Sequence, residues 1–276
     1  MTPSIVTDKI DKMVSPWTER PALATSTTML EGARKLRRSI LSSLLQSRAA
    51  NWAAANADAD LFEISHVYLP GPAEGDLPVE QYSLGLVSGQ DYFVVKGVVE
   101  SIANRLGLPQ QVRFEPTTIT GFDAAWSAKV MLGNRLVGYQ GVVDPTAIRE
   151  LKLPGVVVLA ELSLVALLEQ ARLVPTQKVV SQFPSIVRDL NLIVDESVRW
   201  SSLENAVRVA VGEELEAVHY RQTYRDPKRD GEHRKRILLS VELRKPNMTL
   251  THADADSLVK SILDSCDTAV GAKLLL

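Results

Sequence analysis

The stretch "ELEAVHYRQTYRDPKRDGEHRKRILLSVELRK", residues 214–245, places two β-rich segments on either side of a highly charged tip. The segments at 214–226 and 234–245 have the composition of strands, and the tip joins them. The tip holds seven Arg or Lys between positions 221 and 236 against three acids, a local charge balance of about +4. We predict a pair of strands whose basic tip is either a solvated turn or a surface that holds phosphate.

The segments before this pair read as a strand and a helix. "DLNLIVDE", residues 189–196, has the apolar, β-branched character of a strand. "SSLENAVRVAVG", residues 201–212, has helical periodicity, with Ser201 or Ser202 as its N-cap and Gly212 as its stop. This order predicts that a strand and a helix precede the two central strands.

The segments after the pair read as a helix and a last strand. Thr251 and Asp254 form a capping box at the start of a helical pattern that Gly271 ends. "AKLLL" then closes the chain as a strand. Strand-helix-strand-strand-helix-strand is the ferredoxin-like βαββαβ pattern.

The residues upstream mix strands, helices and short hairpins, which predicts an α+β fold on a mostly antiparallel sheet. A connection with two prolines, residues 173–187, separates this part from the βαββαβ pattern, so we predict two domains, 1–175 and 183–276. The upstream elements expected are a helix from Arg37 to about Asn56, strands at 60–70 and 80–88, a helix at 92–109 with Phe93, Val98, Ile102 and Leu106 on one face, two strands at 127–143 around Gly133-Asn134, a helix start at Asp144-Pro145, and a strand-to-helix segment at 155–171 with Ser163 as cap.

Composition favours a protein of the cytoplasm. The chain has 276 residues, 45% of them hydrophobic, and a net charge of -2. Its single cysteine, Cys266, fits a reducing compartment and lies in a helical apolar pattern, so we expect a buried core thiol rather than a nucleophile. No secretory signal is visible at the start, and no apolar run is long enough to span a bilayer.

Catalytic and metal-binding patterns are absent from the sequence. The four histidines are scattered without a Cys or carboxylate at ligand spacing, so we expect no metal site. There is no G-x-S-x-G elbow, P-loop or G-x-G. We therefore expect no catalytic residues and a protein that binds something.

Eight segments of the sequence are distinctive in wording and in order: "ARKLRRSILSSLL" (33–45), "LFEISHVYLP" (61–70), "DYFVVKGVVESIANRLGL" (91–108), "FPSIVRDLNLIVDE" (183–196), "TYRDP" (223–227), "HRKRILLSVEL" (233–243), "TLTHADADSLV" (249–259) and "GAKL" (271–274). Together they resemble a known family, the β subunits of bacterial phenylalanyl-tRNA synthetases. The resemblance covers essentially the whole chain, and it implies a C-terminal part of such a subunit: a catalytic-like class II synthetase module, then a ferredoxin-fold anticodon-binding domain.

The resemblance implies that the catalytic-like module carries out no reaction itself. Class II synthetases clamp ATP with an arginine on a strand and another in a G-x-G-x-x-R motif, whereas the similar strand at 61–64 has no arginine. The module would be an inactive copy without cofactor that packs on the catalytic α subunit of a heterotetramer. The whole enzyme would use ATP and Mg²⁺ to attach phenylalanine to its tRNA. The alternative is a free-standing RNA- or partner-binding interaction protein with no ligase role.

The resemblance also implies tRNA-binding residues around the basic tip. Tyr224 occupies a family tyrosine position and offers a stacking face for a base. Gln222, two residues earlier on the same side of the strand, stands where the family more often has Asp. Lys235 matches a family lysine. Arg225 belongs to the same "TYRDP" word.

Two further arginines leave alternatives open. Arg236 stands where the family usually has serine, and it either contacts phosphate or enlarges the exposed charge. Arg188, in the Arg-Asp word of the family, either contacts RNA or forms an ion pair at the start of its strand. From residue 181 to 276 there are 14 Lys and Arg against 15 Asp and Glu, so we expect weak, salt-dependent RNA binding.

The start of the first predicted helix poses a similar choice. The basic residues there could touch RNA, but a solvated face is the ordinary explanation for charges at a helix start. Its apolar side, with Trp52, is either a subunit contact or part of the core. The basic residues are Arg34, Lys35, Arg37 and Arg38.

Overall fold

The structure is a computed structural model that describes residues 2–27, 32–73, 75–177 and 181–275. The chain divides into two compact units, Met1–Thr176 and Gln177–Leu276. The end of the sequence at position 276 and residues 178–180 of the expected connection lie outside the described residues.

The N-terminal unit is built on one large antiparallel sheet. The elements of this unit are β1 (Ile5–Thr7), α1 (Asp8–Asp11), β2 (Ala33–Leu36), α2 (Leu41–Ala53), β3 (Leu61–Leu69), β4 (Val79–Ser88), α3 (Tyr92–Arg105), β5 (Val112–Pro116), β6 (Phe122–Leu132), β7 (Arg135–Val143), α4 (Pro145–Glu150), β8 (Val158–Ser163) and α5 (Leu164–Leu168). Six strands pair in the order β3-β4-β8-β7-β6-β5, and β1 and β2 form a separate two-stranded sheet.

A hydrophobic core lies on each face of the six-stranded sheet. Helix α2 contributes Leu41 and Leu44 to the core on one face, where they pack with Leu159. Helix α3 contributes Val95 and Val99 to the core on the other. Because side chains alternate along each strand, neighbouring strand residues belong to opposite cores.

Helix α3 buries the stripe beside the apolar face noted in the sequence. Val95, Val99 and Ala103 are buried, whereas Phe93 and Val98 are exposed. The other two residues of the predicted face, Ile102 and Leu106, are partly buried and pack against the same core. The two stripes are adjacent on the helix, and packing on the sheet sets which of them turns fully inward.

The first long helix starts later than predicted, at Leu41. Arg37 and Arg38 precede it and are buried, so the expectation of a solvated face was wrong for both. The Arg37 Nε donates to the His66 carbonyl at 2.8 Å, and Nη1 lies 3.5 Å from Glu63 Oε1. Arg38 forms two bonds with the Asp11 carboxylate, at 2.9 and 2.8 Å. Partners from distant segments therefore compensate both buried charges.

The C-terminal unit has the predicted βαββαβ order. Its elements are β9 (Ile186–Asp195), α6 (Trp200–Val211), β10 (Leu215–Tyr224), α7 (Pro227–Asp230), β11 (Arg234–Leu243), α8 (His252–Val270) and β12 (Lys273–Leu274). The four strands form an antiparallel sheet in the order β10-β11-β9-β12, and the short extra helix α7 occupies the basic tip. The predicted α+β fold with a ferredoxin-like domain is confirmed.

Most of the predicted caps are present in this unit. Thr251 and Asp254 form the capping box of α8, and Gly271 ends the helix in the left-handed conformation at φ 65°. Helix α6 differs, because its N-cap is Arg199, without a side-chain cap bond, and Ser201 and Ser202 lie inside the helix. The prediction of a serine cap was therefore wrong.

Candidate nucleic-acid interface

The C-terminal sheet has one face covered by helices and one face left open. Leu190, Leu192 and Leu239 point into the core that α6 and α8 close. The residues between them, and their cross-strand partners, point to the opposite side. We call this side the open face, and it carries Asp189, Asn191 and Ile193 of β9, Arg221, Gln222 and Tyr224 of β10, and Arg236, Leu238 and Ser240 of β11.

Three of the six predicted RNA-binding residues lie together on the open face. Tyr224 pairs directly with Arg236 across β10 and β11, and Gln222 pairs with Leu238. Tyr224 is 50% exposed, and Gln222 is exposed beside it. Their common side of the strand agrees with the prediction from alternation. An exposed aromatic ring on a rigid sheet is the feature on which an unpaired base can stack.

Arg236 is already bound within the chain. Its Nε and Nη2 donate to the two Asp230 carboxylate oxygens, each at 2.6 Å, and its Cζ lies 5.6 Å from the centroid of the Tyr224 ring. These hydrogen bonds hold the pKa of Asp230 below its ordinary value and raise the pKa of Arg236. The guanidinium is therefore fixed in position.

Arg225 and Lys235 share a carboxylate at the end of the sheet. Arg225 binds Glu196 with Nη2 to Oε1 at 2.7 Å, and this bond lowers the pKa of Glu196. Lys235 Nζ donates to the Glu196 carbonyl oxygen at 2.7 Å and lies 3.9 Å from its carboxylate. Lys235 pairs with Val194, so its side chain starts from the face opposite Tyr224. The structure does not bring these two residues into the Tyr224 group.

Arg188 also lies on the covered face. It pairs with the buried Val241, and its Nη2 lies 3.2 Å from Asp256 Oδ1 and 3.2 Å from His252 Nδ1, both on α8. Of the two alternatives, this geometry is that of an ion pair, because it ties the start of the strand to a helix.

Sequence reasoning missed a hydrogen-bonded row across the open face. Arg221 Nε donates to Ser240 Oγ at 2.8 Å, and the Ser240 hydroxyl donates to Asp189 Oδ1 at 2.5 Å. A register shift between Tyr220 and Gln222 places Arg221 on this side beside Gln222. The one available signal was Ser240, a polar residue inside the apolar run of β11.

The N-terminal sheet has no room for ATP in the centre of its α2 face. Glu161 is fully buried there, where its carboxylate accepts from the Ser39 hydroxyl at 2.5 Å and the Ile40 N–H at 3.4 Å. A Cβ on Gly85 would lie 2.8 Å from Leu44 Cδ1. Side chains thus fill the space, and the acid at its centre would repel phosphate. These residues do not fit a nucleotide.

Within residues 2–27, 32–73, 75–177 and 181–275, no three His, Cys, Asp or Glu side chains gather closely enough to hold a metal ion. In the same ranges, no helix combines the length and apolar character that crossing a membrane requires.

Comparison with known families first gives the class of protein. Residues 181–275 match the family described as "Ferredoxin-fold anticodon binding domain". Together with the open sheet face, this match defines a component of the aminoacyl-tRNA synthetase class. Residues 1–164, more than half of the chain, match the "Phenylalanyl tRNA synthetase beta chain CLM domain". The chain therefore belongs to the phenylalanyl-tRNA synthetase β-chain family.

Two curated β subunits agree with this assignment. A phenylalanine–tRNA ligase β subunit of Rhodopirellula baltica is 50% identical over 284 residues, covering 100% of this chain and 42% of the relative. One from Clostridium acetobutylicum is 29% identical over 241 residues, covering 87% of this chain and 30% of the relative. The chain thus spans less than half the length of these curated relatives. A pyrrolysyl tRNA synthetase structure from Desulfitobacterium hafniense aligns with 62% of this chain and 65% of its own, at TM-score 0.47 and 16% identity.

Proposed function

We propose that this chain serves phenylalanine–tRNA ligase by binding the anticodon region of the phenylalanine tRNA and by packing on the catalytic α subunit. The observation that carries the RNA part is Tyr224, half exposed on the open face of a rigid sheet. In this proposal a splayed anticodon base stacks on the ring, and the Gln222 amide bonds a base edge.

The basic residues around this face differ in the proposal: two contact phosphate, and one acts through the fold. Arg225 and Lys235 face a shared phosphate at the end of the sheet, with Glu196 reducing their combined charge. Arg188 lies on the covered face and acts through the fold rather than by touching RNA. The near balance of charges in this unit, 14 Lys and Arg against 15 Asp and Glu, makes binding weak and dependent on salt.

The test is binding of the chain to the anticodon stem-loop of the phenylalanine tRNA, followed by fluorescence anisotropy. Tyr224→Ala should weaken binding by roughly 1–3 kcal/mol through lost stacking. The matched control is Tyr224→Phe, which keeps the ring and should keep the affinity. A stem-loop with replaced anticodon bases should bind the parent chain less well. Equal binding by the parent and Tyr224→Ala would refute the assignment of this surface.

The subunit contact belongs to the N-terminal unit in this proposal. The apolar side of α2, one of the two alternatives raised by the sequence, packs into the core, whereas Trp52 near its C-terminal end is exposed. Three large apolar side chains stand exposed on one face of β3 and β4: Phe62, Ile64 and Tyr82. An exposed apolar cluster of this kind marks a protein contact, and we assign it to the α subunit.

The remaining parts of the proposal concern the whole enzyme. The α subunit would use ATP and Mg²⁺, and this chain would contribute no ligand to either, because its sheet face is filled by Glu161 and α2. The assembly would be an α/β heterotetramer of the cytoplasm. The competing proposal, a free-standing interaction protein, predicts no affinity for the α subunit, and co-purification of the two chains distinguishes them.

A further inference from the structure

Arg236 and Asp230 form a closed pair beside the proposed stacking surface. The side chains of Arg236 and Asp230 are only 12% and 3% exposed, respectively. Two parallel hydrogen bonds of 2.6 Å join them. This planar, bidentate arrangement is the strongest form of an arginine–carboxylate bond, and it fixes the plane of the guanidinium as well as its position. The charge of Arg236 is neutralised where it stands.

The short helix α7 delivers Asp230 to this position. Asp226 caps the helix by accepting from the Arg229 N–H at 3.3 Å, and Gly231 ends it with φ 97°. Asp230 is the last residue of the single turn. Asp230 is therefore folded back onto Arg236 of β11, whereas most of the tip around it, including Lys228 and Arg229, is exposed to solvent.

The fixed guanidinium lies over the ring of Tyr224. The Cζ atom is 5.6 Å from the ring centroid, within the range of a cation–π contact. Tyr224 and Arg236 are direct cross-strand partners, so this contact restricts the ring on its Arg236 side. The rest of the half-exposed ring remains accessible to a base.

We propose that Asp230 and Arg236 are positioning residues that hold the Tyr224 ring ready for stacking, and that Arg236 makes no phosphate contact. A phosphate could bind Arg236 only by breaking both hydrogen bonds of the bidentate pair, and the neighbouring Asp230 carboxylate would repel that phosphate. This inference rests on the proposed anticodon-binding function.

The experiment measures stem-loop affinity at a series of salt concentrations for the whole chain and its variants. The salt slope, the fall of log K with log salt, reports the number of phosphates contacted. Arg236→Gln should weaken binding about three- to tenfold, because part of the stacking energy is lost. Its salt slope should stay unchanged, because every phosphate contact is kept. Asp230→Asn should steepen the slope by about 0.7, because it frees the charge of Arg236. Circular dichroism and thermal unfolding check that each variant is folded.

Two controls separate positioning from direct binding. Arg236→Lys keeps the positive charge but loses the planar pair of hydrogen bonds to Asp230, so its stem-loop affinity should fall as in Arg236→Gln. Parent affinity in Arg236→Lys would overturn the proposal. Lys228→Gln removes one exposed charge from the same tip without touching the pair, and it should leave stacking intact. A slope lowered by about 0.7 in Arg236→Gln would identify a phosphate contact instead.

The outcomes for this inference and for the proposed function are distinct. If Tyr224→Ala binds like the parent, the stacking surface itself is wrong. If Tyr224→Ala weakens binding but both Arg236 variants bind like the parent, the surface stands and the positioning role is refuted. If all three weaken binding and the slope stays constant, the inference holds.

Discussion

Replacement of Glu161 by glutamine should change how the stability of the N-terminal unit depends on pH. Burial raises the pKa of this carboxyl from 4.5 to about 6, although bonds from Ser39 and the Ile40 N–H oppose the rise. A folded-state pKa above the unfolded one means that the native state binds the proton more tightly. The stability that protonated Glu161 contributes is therefore fully present below about pH 4.5, and it is lost as the pH rises through about 6.

The magnitude follows from the same pKa. Each pKa unit corresponds to about 1.4 kcal/mol, so ionised Glu161 lowers the free energy of unfolding by about 2 kcal/mol above pH 6. Glutamine has the same shape and no charge, and the Ser39 hydroxyl can turn to accept from its amide. Relative to the parent, Glu161→Gln should gain about 2 kcal/mol as the pH rises from about 4 to about 7.5.

Urea unfolding at a series of pH values measures this difference. Three tryptophans lie in the N-terminal unit and Trp200 in the other, so a Trp200→Phe background makes the fluorescence report the unit that contains Glu161. The exposed Glu150→Gln controls for loss of one carboxylate and should not reproduce the change. A stability difference between parent and Glu161→Gln that stays constant with pH, or that falls as the pH rises, would refute the reasoning.

Three further outcomes are expected. The chain alone should give no phenylalanine-dependent pyrophosphate exchange, because its sheet face is filled; exchange above background would contradict this. Replacing Arg225 and Lys235 together by alanine should lower the salt slope of stem-loop binding by about 0.7 rather than twice that, because both share Glu196. Ile64→Lys should prevent co-purification with the α subunit, whereas Leu173→Lys, at another exposed apolar site of the same unit, should not.

Local signals made much of the fold predictable. Both ends of α8 were predicted correctly, from the capping box of Thr251 and Asp254 and from the Gly271 stop, because caps act between residues a few positions apart. Gly133-Asn134 likewise marked the turn between β6 and β7. Alternation put Gln222 and Tyr224 on one side of β10, since that property is local to a strand.

Long-range pairing explains what the sequence did not show. Arg37 is buried because Glu63, 26 residues away, supplies its counter-ion, and no local pattern announces such a partner. Arg221 reaches the open face through a register shift in β10, which depends on how β11 pairs with it. Asp230 binds Arg236 because one helical turn forms at a tip that composition alone described as a charge run.

The buried thiol of Cys266 provides a way to measure how often the core of the C-terminal unit opens. It lies in the core beneath α8, where burial raises its pKa to about 11, so a thiol reagent at neutral pH finds neither access nor thiolate. Because it is the single cysteine of the chain, labelling can occur only when this core opens. The labelling rate therefore measures the opening rate or the open population of the ferredoxin-like unit. An RNA that lowers this labelling rate must bind the closed form of the unit.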